Sequence, residues 1–323
     1  MSKFIGRQQE VGIAKEATRG TQVVPTFWVP KVNFAVEDRA IKARFDGNYG
    51  VLAGGDDALV AQRWAEGELE VELQDKITGL LFYALFGTLT SASFNSAYKH
   101  TLTLQNSVQQ TSLSLWLRDP VGTLVYRMAM VNSFDLRVVP DEIVKATFGF
   151  IAKAHKDFTA QTPSYTAQNK FSGRHLTVKV AADESSLDAA AKINVQELRI
   201  RIAKNVVREP ALGTVDPVDI LNRKFTISGT LKLTHEDRTY RDYMLNGTKK
   251  ALRITLANSG VTIGTTNPTI QIDLPVVDFH DWEPSHPLDE ITSQEIQFTA
   301  LYDVANTKLI GTATFVVNET ASY

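Results

Sequence analysis

Seven side chains able to bind a metal or move a proton crowd one short stretch of this chain: Asp278, His280, Asp281, Glu283, His286, Asp289 and Glu290. Carboxylates and imidazoles are suitable donors for a divalent cation. Their spacing, however, follows no established ligand pattern, and Pro284 and Pro287 interrupt it. The stretch reads as a solvated acidic turn, so no metal and no cofactor are expected. A second concentration is Glu66, Glu68, Glu70 and Glu72. At a spacing of two, all four carboxylates leave one side of a strand, while Leu69, Val71 and Leu73 leave the other. Such a row repels itself unless water or facing cations compensate. It suits either a strand facing solvent or a neighbour and paired with Arg or Lys, or an acidic wall to which a polyanion does not stick.

The nucleophilic and phosphate-binding motifs are missing. Gly12 to Thr21 lacks the Gly-Lys-Thr ending of a phosphate-cradling loop, and neither a Gly-x-Ser-x-Gly elbow nor a His-Glu-x-x-His helix occurs. No catalytic residue is expected, and the chain is not read as an enzyme. It has no cysteine, which excludes disulfides, thiolate chemistry and the usual zinc clusters. A formal net charge of −2 gives no reason to expect tight nucleic-acid binding, which requires cations that displace counterions from phosphates. The 323 residues, 43% apolar and 22% charged, suffice for two ordinary cores. The start of the chain lacks the apolar run of a signal peptide, so cytoplasmic synthesis without membrane insertion is expected.

The elements that must position these residues are mostly strands. Apolar residues alternate at Leu113/Leu115/Leu117, Phe225/Ile227, Leu231/Leu233, Leu198/Ile200/Ile202 and Ile270/Ile272/Leu274. Two helices are expected: one capped by Asp75, carrying Ile77, Leu80, Leu81 and Leu85 and stopping at Gly87, the other carrying Tyr240, Tyr243 and Met244 and stopping at Asn246-Gly247. Landmarks recur. Asp289-Glu290-Ile291 follows Asp141-Glu142-Ile143 by 148 residues, and Gly229-Thr-Leu-Lys-Leu follows Gly67-Glu-Leu-Glu-Val by 162. Slowly drifting offsets imply an internal duplication. The expected organisation is residues 1–157, an N-terminal arm and first module; 158–171, a linker; and 172–323, a second module and C-terminal arm. Each module is read as a β-sandwich or partial barrel with one flanking helix. The stretches Phe45 to Ala61 and Val206 to Asn222 read as long loops that bind or order against a partner. Met1 to Pro25 and Asn306 to Tyr323 read as extensions that reach neighbouring subunits.

In its order of landmarks the chain resembles the tail tube (major tail) proteins of long-tailed bacteriophages. The resemblance spans nearly the whole chain. It rests on the opening Gly12-Ile-Ala-Lys-Glu-Ala-Thr-Arg-Gly-Thr21 with Pro25 and Trp28-Val-Pro30, on the strand and helix from Ala65 to Gly87, and on the ending from Gln297–Tyr302 to Asn318 and Tyr323. It implies β-sandwich modules whose inner strands join neighbours into a barrel around a channel, with rings stacking through loops and arms. Six modules commonly make a ring. Two per chain then imply a homotrimeric, pseudo-sixfold ring, the alternative being a homohexamer. The implied place is the virion tail, assembled in the host cytoplasm. The implied partners are further copies, a tape-measure protein, tail-terminator and tip proteins, and double-stranded DNA in transit. Under this reading Glu66, Glu68, Glu70 and Glu72 face the lumen, with Asp135 and Asp278 as weaker candidates. Two other readings stand beside it: the inner tube of a contractile injection or secretion machine, and a monomeric β-sandwich binding module for carbohydrate. The second needs an aromatic platform, whereas Trp28, Trp64, Trp116 and Trp282 are scattered.

Overall fold

Alternating sequence becomes extended chain throughout the computed structural model, which describes residues 3–323. The first half contains β1 (Glu10–Lys15), β2 (Phe27–Val29), β3 (Lys31–Arg44), β4 (Ala58–Glu72), α1 (Asp75–Phe86), β5 (Gly87–Phe94), β6 (Ala97–Leu104), β7 (Leu113–Arg118), β8 (Thr123–Val138), β9 (Lys145–Ala152) and β10 (Lys156–Asp157). The second half contains β11 (Leu176–Ala181), β12 (Lys192–Ile193), β13 (Val195–Ala203), β14 (Val207–Glu209), β15 (Asp219–Leu221) and β16 (Thr226–Thr234). It continues with α2 (Thr239–Asn246), β17 (Lys250–Ala257), β18 (Thr269–Ser285), β19 (Ser293–Ala300) and β20 (Phe315–Asn318).

One run of antiparallel strands organises the molecule: β3, β4, β9, β8, β13, β16, β19 and β18, each hydrogen-bonded to the next. Within it the same four-strand order occurs twice, and the details repeat. Gly67 opposes Phe150 as Gly229 opposes Phe298. The register shift between Lys31 and Asn33 of β3 recurs between Val195 and Glu197 of β13. The shift between Val131 and Ser133 of β8 recurs between Phe279 and Asp281 of β18. Both glycines are sterically required, because a Cβ would lie 2.0 Å from the Ala35 carbonyl oxygen at Gly67 and 2.4 Å from that of Arg199 at Gly229. β8 and β18 are long enough to serve two layers. Their second halves lie in the common run, while their first halves pair with β7 and β17, which lead to β1 and β11. A continuous core that includes Leu69, Phe134, Phe148, Leu198, Leu231 and Phe298 fills the space behind the run.

The helices stop where glycine permits a left-handed residue, at Gly87 (φ 89°) and Gly247 (φ 60°). Their surroundings differ. α1 is buried almost throughout, whereas α2 rests Tyr240 and Tyr243 on Phe279 and leaves Leu245 exposed. The N-cap of α1 is Gln74, not Asp75. Asp75 is fully buried and accepts hydrogen bonds from the backbone N–H groups of Lys76 and Asn169 and from Asn169 Nδ2, while burial pushes its pKa up.

Three segments expected as arms or linker are in large part packed into the fold. Glu10–Lys15, inside the stretch expected to project as an arm, is an inner strand between β2 and β7 with Val11, Ile13 and Ala14 fully buried. Met1 and Ser2, at the start of that stretch, lie outside the described residues. Phe315–Asn318, inside the expected C-terminal arm, is held between β6 and β18, and the Tyr323 hydroxyl donates to the Lys76 carbonyl of α1 at 2.5 Å. The apolar residues of both segments gain more from burial than from exposure. The expected linker 158–171 is packed on the first half: Phe158 meets Trp116 edge-on at 5.1 Å, Asn169 binds Asp75, and Phe171 is buried. Of the two long loops, the first is the tip of the β3–β4 hairpin, and the second holds the small β14–β15 hairpin.

Lys204 is buried and donates from Nζ to the Ala84 carbonyl near the end of α1 at 2.8 Å. Desolvation, helped by Arg19, brings its pKa down to about 7. The unfolded chain therefore takes up a proton on this lysine as pH falls from roughly 10.4 toward 7 while the folded chain does not, so stability declines over that window. Lys204→Met should thus be more stable than wild type at pH 7, by about 1 kcal/mol or more, with the gap narrowing toward pH 10. Thermal denaturation across that range checks it.

Candidate functional site

The common run of strands has one face against the core and one free face. On β4 the odd positions Ala65, Leu69 and Val71 point inward, so Glu66, Glu68, Glu70 and Glu72 stand on the free face. The row is only partly compensated. Glu66 accepts from Trp64 Nε1 at 3.0 Å and pairs with Arg39 at 3.3 Å, and Glu72 pairs with Lys170 at 2.6 Å. Glu68 and Glu70 have no ion-pair partner among the described residues. The matching positions of β16, reached through the same register, are Ser228, Thr230, Lys232 and Thr234.

The middle of the face is cationic, which the sequence reading did not anticipate. Lys145 of β9, Arg137 of β8 and Arg199 of β13 stand opposite one another in series, and Arg201 stands opposite Asp135. They line a concavity of about 550 Å³ together with Glu70, Thr147, Thr230 and Gln297. The cations are largely neutralised within the chain: Glu197 accepts from both Arg137 and Arg199 at 2.7 Å, and Arg201 approaches Asp135 at 3.7 Å. The hydrogen bond from Arg137 holds the Glu197 carboxyl below its usual range, with Arg199 adding to it. Asp135 is pushed up by burial against the opposing pull of Arg201. The free face is thus a mixed-charge surface, acidic along β4 and balanced at the β8–β13 seam. The alternation Arg199-x-Arg201 was visible in the sequence, but nothing local told that Arg137 would stand opposite it.

The other expected cluster does not converge. Asp278, His280, Asp281, Glu283 and His286 follow β18 into the β18–β19 turn that holds Asp289 and Glu290. There Asp281 accepts from Gln297 at 3.1 Å, and His286 packs edge-on to His235 at 5.3 Å. Among the described residues no three such side chains are grouped as metal ligands.

Two further features look outward. Among the described residues the outer edge of β3 and the second half of β18, at opposite ends of the run, are each paired on one side only. The β3–β4 hairpin projects beyond its neighbours with Tyr49, Val51, Leu52 and Leu59 exposed. Its stem is braced by the second long loop: Arg63 donates to Asp216 at 2.6 Å and to the Val215 carbonyl at 2.8 Å through its backbone, and the Arg208 guanidinium lies 3.5 Å over Trp64. The braced stem thus carries an exposed apolar tip.

A protein-family model described as phage tail tube protein matches residues 6–300. No curated protein matches the chain. Glu197→Gln should lower stability modestly at pH 7, since Arg137 and Arg199 are exposed and solvent screens them. A carboxylate held below its usual range contributes above its unfolded pKa and loses that contribution on acidification. Denaturant titrations of wild type and variant should therefore converge as pH drops through the carboxylate range.

Proposed function

We propose, from the premise that this chain belongs to the phage tail tube protein family, that three copies close a pseudo-sixfold ring whose shared sheet lines the path of DNA. The chain is a structural, non-enzymatic component of the virion tail, and its family implies self-assembly into a tube. The observation that carries the proposal is the β8–β13 seam. The trailing edge of one four-strand set meets the leading edge of a second set that has the same order, bulges and glycines. This repetition supports a tandem duplication, with 1–157 and 172–323 as the two modules joined through the docked segment 158–171.

The seam also supplies a template for closure. Its counterparts at the free ends are the outer edge of β3 and the second half of β18. Transposing the register sets Ala35 of one copy opposite Ser285 of the next, Glu37 opposite Glu283, and Arg39 opposite Asp281. Unpaired edges are prone to uncontrolled association, and a closed barrel removes them. Eight strands per chain give twenty-four for three copies. At ~4.8 Å between strands and a tilt of ~40°, these enclose a backbone circle roughly 45–50 Å across. The free face then becomes the lumen, with the four glutamates of β4 on its wall and the arginines held by internal acids, so that phosphates are not gripped. The β3–β4 hairpin and the loop bracing it are suited to ring-to-ring contact. Tape-measure, terminator and tip proteins are the further partners this reading implies.

Mass measurement and symmetry analysis of isolated tubes decide the copy number: three chains per ring are expected, and six would overturn the trimer. Replacing Glu66, Glu68, Glu70 and Glu72 together by lysine should leave tube assembly intact and slow DNA release. Release at the wild-type rate would show that the row faces elsewhere.

A further inference from the structure

Phe171-Ser172-Gly173-Arg174 opens the second half as Phe4-Ile5-Gly6-Arg7 opens the first, each leading into a short 3-10 turn, Gly173–His175 and Gly6–Gln8. The later copy is docked. Phe171 is 1% exposed, donates its backbone N–H to the Leu73 carbonyl at 3.3 Å and accepts from Val144 N–H at 2.9 Å. Ser172 bridges to Ile143, and Gly173 N–H donates to the Glu142 carbonyl at 3.1 Å. Gly173 cannot be replaced there, because a Cβ would lie 2.0 Å from the Val139 carbonyl oxygen.

The earlier copy stands exposed, with Lys31 Nζ donating to the Gly6 carbonyl at 3.4 Å. Phe4 is 49% exposed and Ile5 66%, and a Cβ on Gly6 would meet no atom within 4 Å. A receiving site built like the one that holds Phe171 exists at the other end of the sheet. His235 N–H donates to the Thr292 carbonyl at 3.0 Å, just as Leu73 N–H donates to Val144 at 2.8 Å. Beside it Leu288 and Ile291 are 97% and 75% exposed, and the buried His235 Nδ1 has no hydrogen-bond partner among the described residues. Leu288, Ile291 and Thr292 occupy the β18–β19 turn and His235 follows β16, as Val144 lies in the β8–β9 turn and Leu73 follows β4.

We propose that Phe4-Ile5-Gly6 of one copy clasps the His235/Glu290-Ile291-Thr292 corner of the neighbouring copy, with the second copy of this chain as the occupant of that corner. The inference rests on the ring reading and deepens it, since the clasp lies beside the β18-to-β3 closure. Transposed from the internal junction, its contacts are Thr292 N–H to the Phe4 carbonyl, Phe4 N–H to the His235 carbonyl, Gly6 N–H to the Glu290 carbonyl, and Ile5 opposite Ile291. The receiving site is more polar than its internal template, with His235 in place of Leu73 and Thr292 in place of Val144. That difference suits a site that must tolerate water before assembly, whereas the internal junction is never open.

Two variants of the full chain test this. Gly6→Val places a side chain where the free chain has space and the clasp has none. Its thermal unfolding as a free chain should match wild type, while the concentration needed for tube formation, read by sedimentation and negative-stain microscopy, should rise about tenfold or more. Ile5→Cys with Ile291→Cys puts the only two thiols of the chain opposite one another across an antiparallel pair, at a separation a disulfide spans. Oxidised tubes should give covalent multimers on denaturing gels, ending at a closed three-chain species, and neither single variant should do so. Tubes that form without cross-links, a disulfide confined to one chain, or Gly6→Val tubes that assemble at wild-type concentration would overturn the clasp and leave the ring standing. Wild-type protein that stays single-chain at every concentration would overturn the ring reading itself, and the clasp with it.

Discussion

An antiparallel sheet ends in a row of N–H and C=O groups that must find partners or water, and the architecture of this chain follows from how it treats those rows. In the middle of the molecule the row along β8 is satisfied by β13, which joins two four-strand sets into one surface. Every repeated irregularity serves that surface. The paired bulges in β3 and β13 and in β8 and β18 bend it in matching places, and Gly67 and Gly229 let neighbouring backbone approach where a Cβ would collide. The second layer, with β1, β7, β11 and β17, covers only the inward face and leaves the other free.

The two halves share geometry and differ in surface chemistry, and the differences fall where one half meets chain and the other meets solvent. At the internal seam Arg199 and Arg201 are balanced by Glu197 and Asp135. At the matching outer edge stand Ala35 and Glu37. The pocket around Phe171 is lined by Leu73 and Val144, whereas the matching open corner presents His235 and Thr292. An apolar contact that forms once, during folding, is stabilised by desolvation at no cost to solubility. A corner that faces solvent stays hydrated when its residues are polar. Pro284 fits the same pattern, because an edge strand carrying a residue without an N–H pairs less readily with an arbitrary neighbour.

The spacing of residues made much of this legible. Period-two alternation located the strands, since a strand with one buried face imposes it on the sequence. Helix stripes ending at Gly87 and Asn246-Gly247 located both helices and their stops, because the left-handed closing residue selects glycine. The orientation of Glu66, Glu68, Glu70 and Glu72 away from the core also followed from alternation alone. The echo of Phe4-Ile5-Gly6-Arg7 in Phe171-Ser172-Gly173-Arg174 was equally present in the sequence, yet nothing local told that Phe171 is buried against Leu73 and Val144 while Phe4 stands exposed.

What the sequence by itself determined was therefore local: which residues are extended, which face of each strand is apolar, where helices stop, and that landmarks recur. Only the tertiary structure decided which edges are joined and which stay open. It folded Glu10–Lys15 and Phe315–Asn318 inward although both read as arms, and it gathered Lys145, Arg137 and Arg199 into one line across three strands. The physical reason is that alternation encodes the face of a strand but not its neighbour. Backbone hydrogen-bonding groups are the same for every residue but proline, so strand partnership is settled by burial, bulges and close approaches summed over the whole sheet.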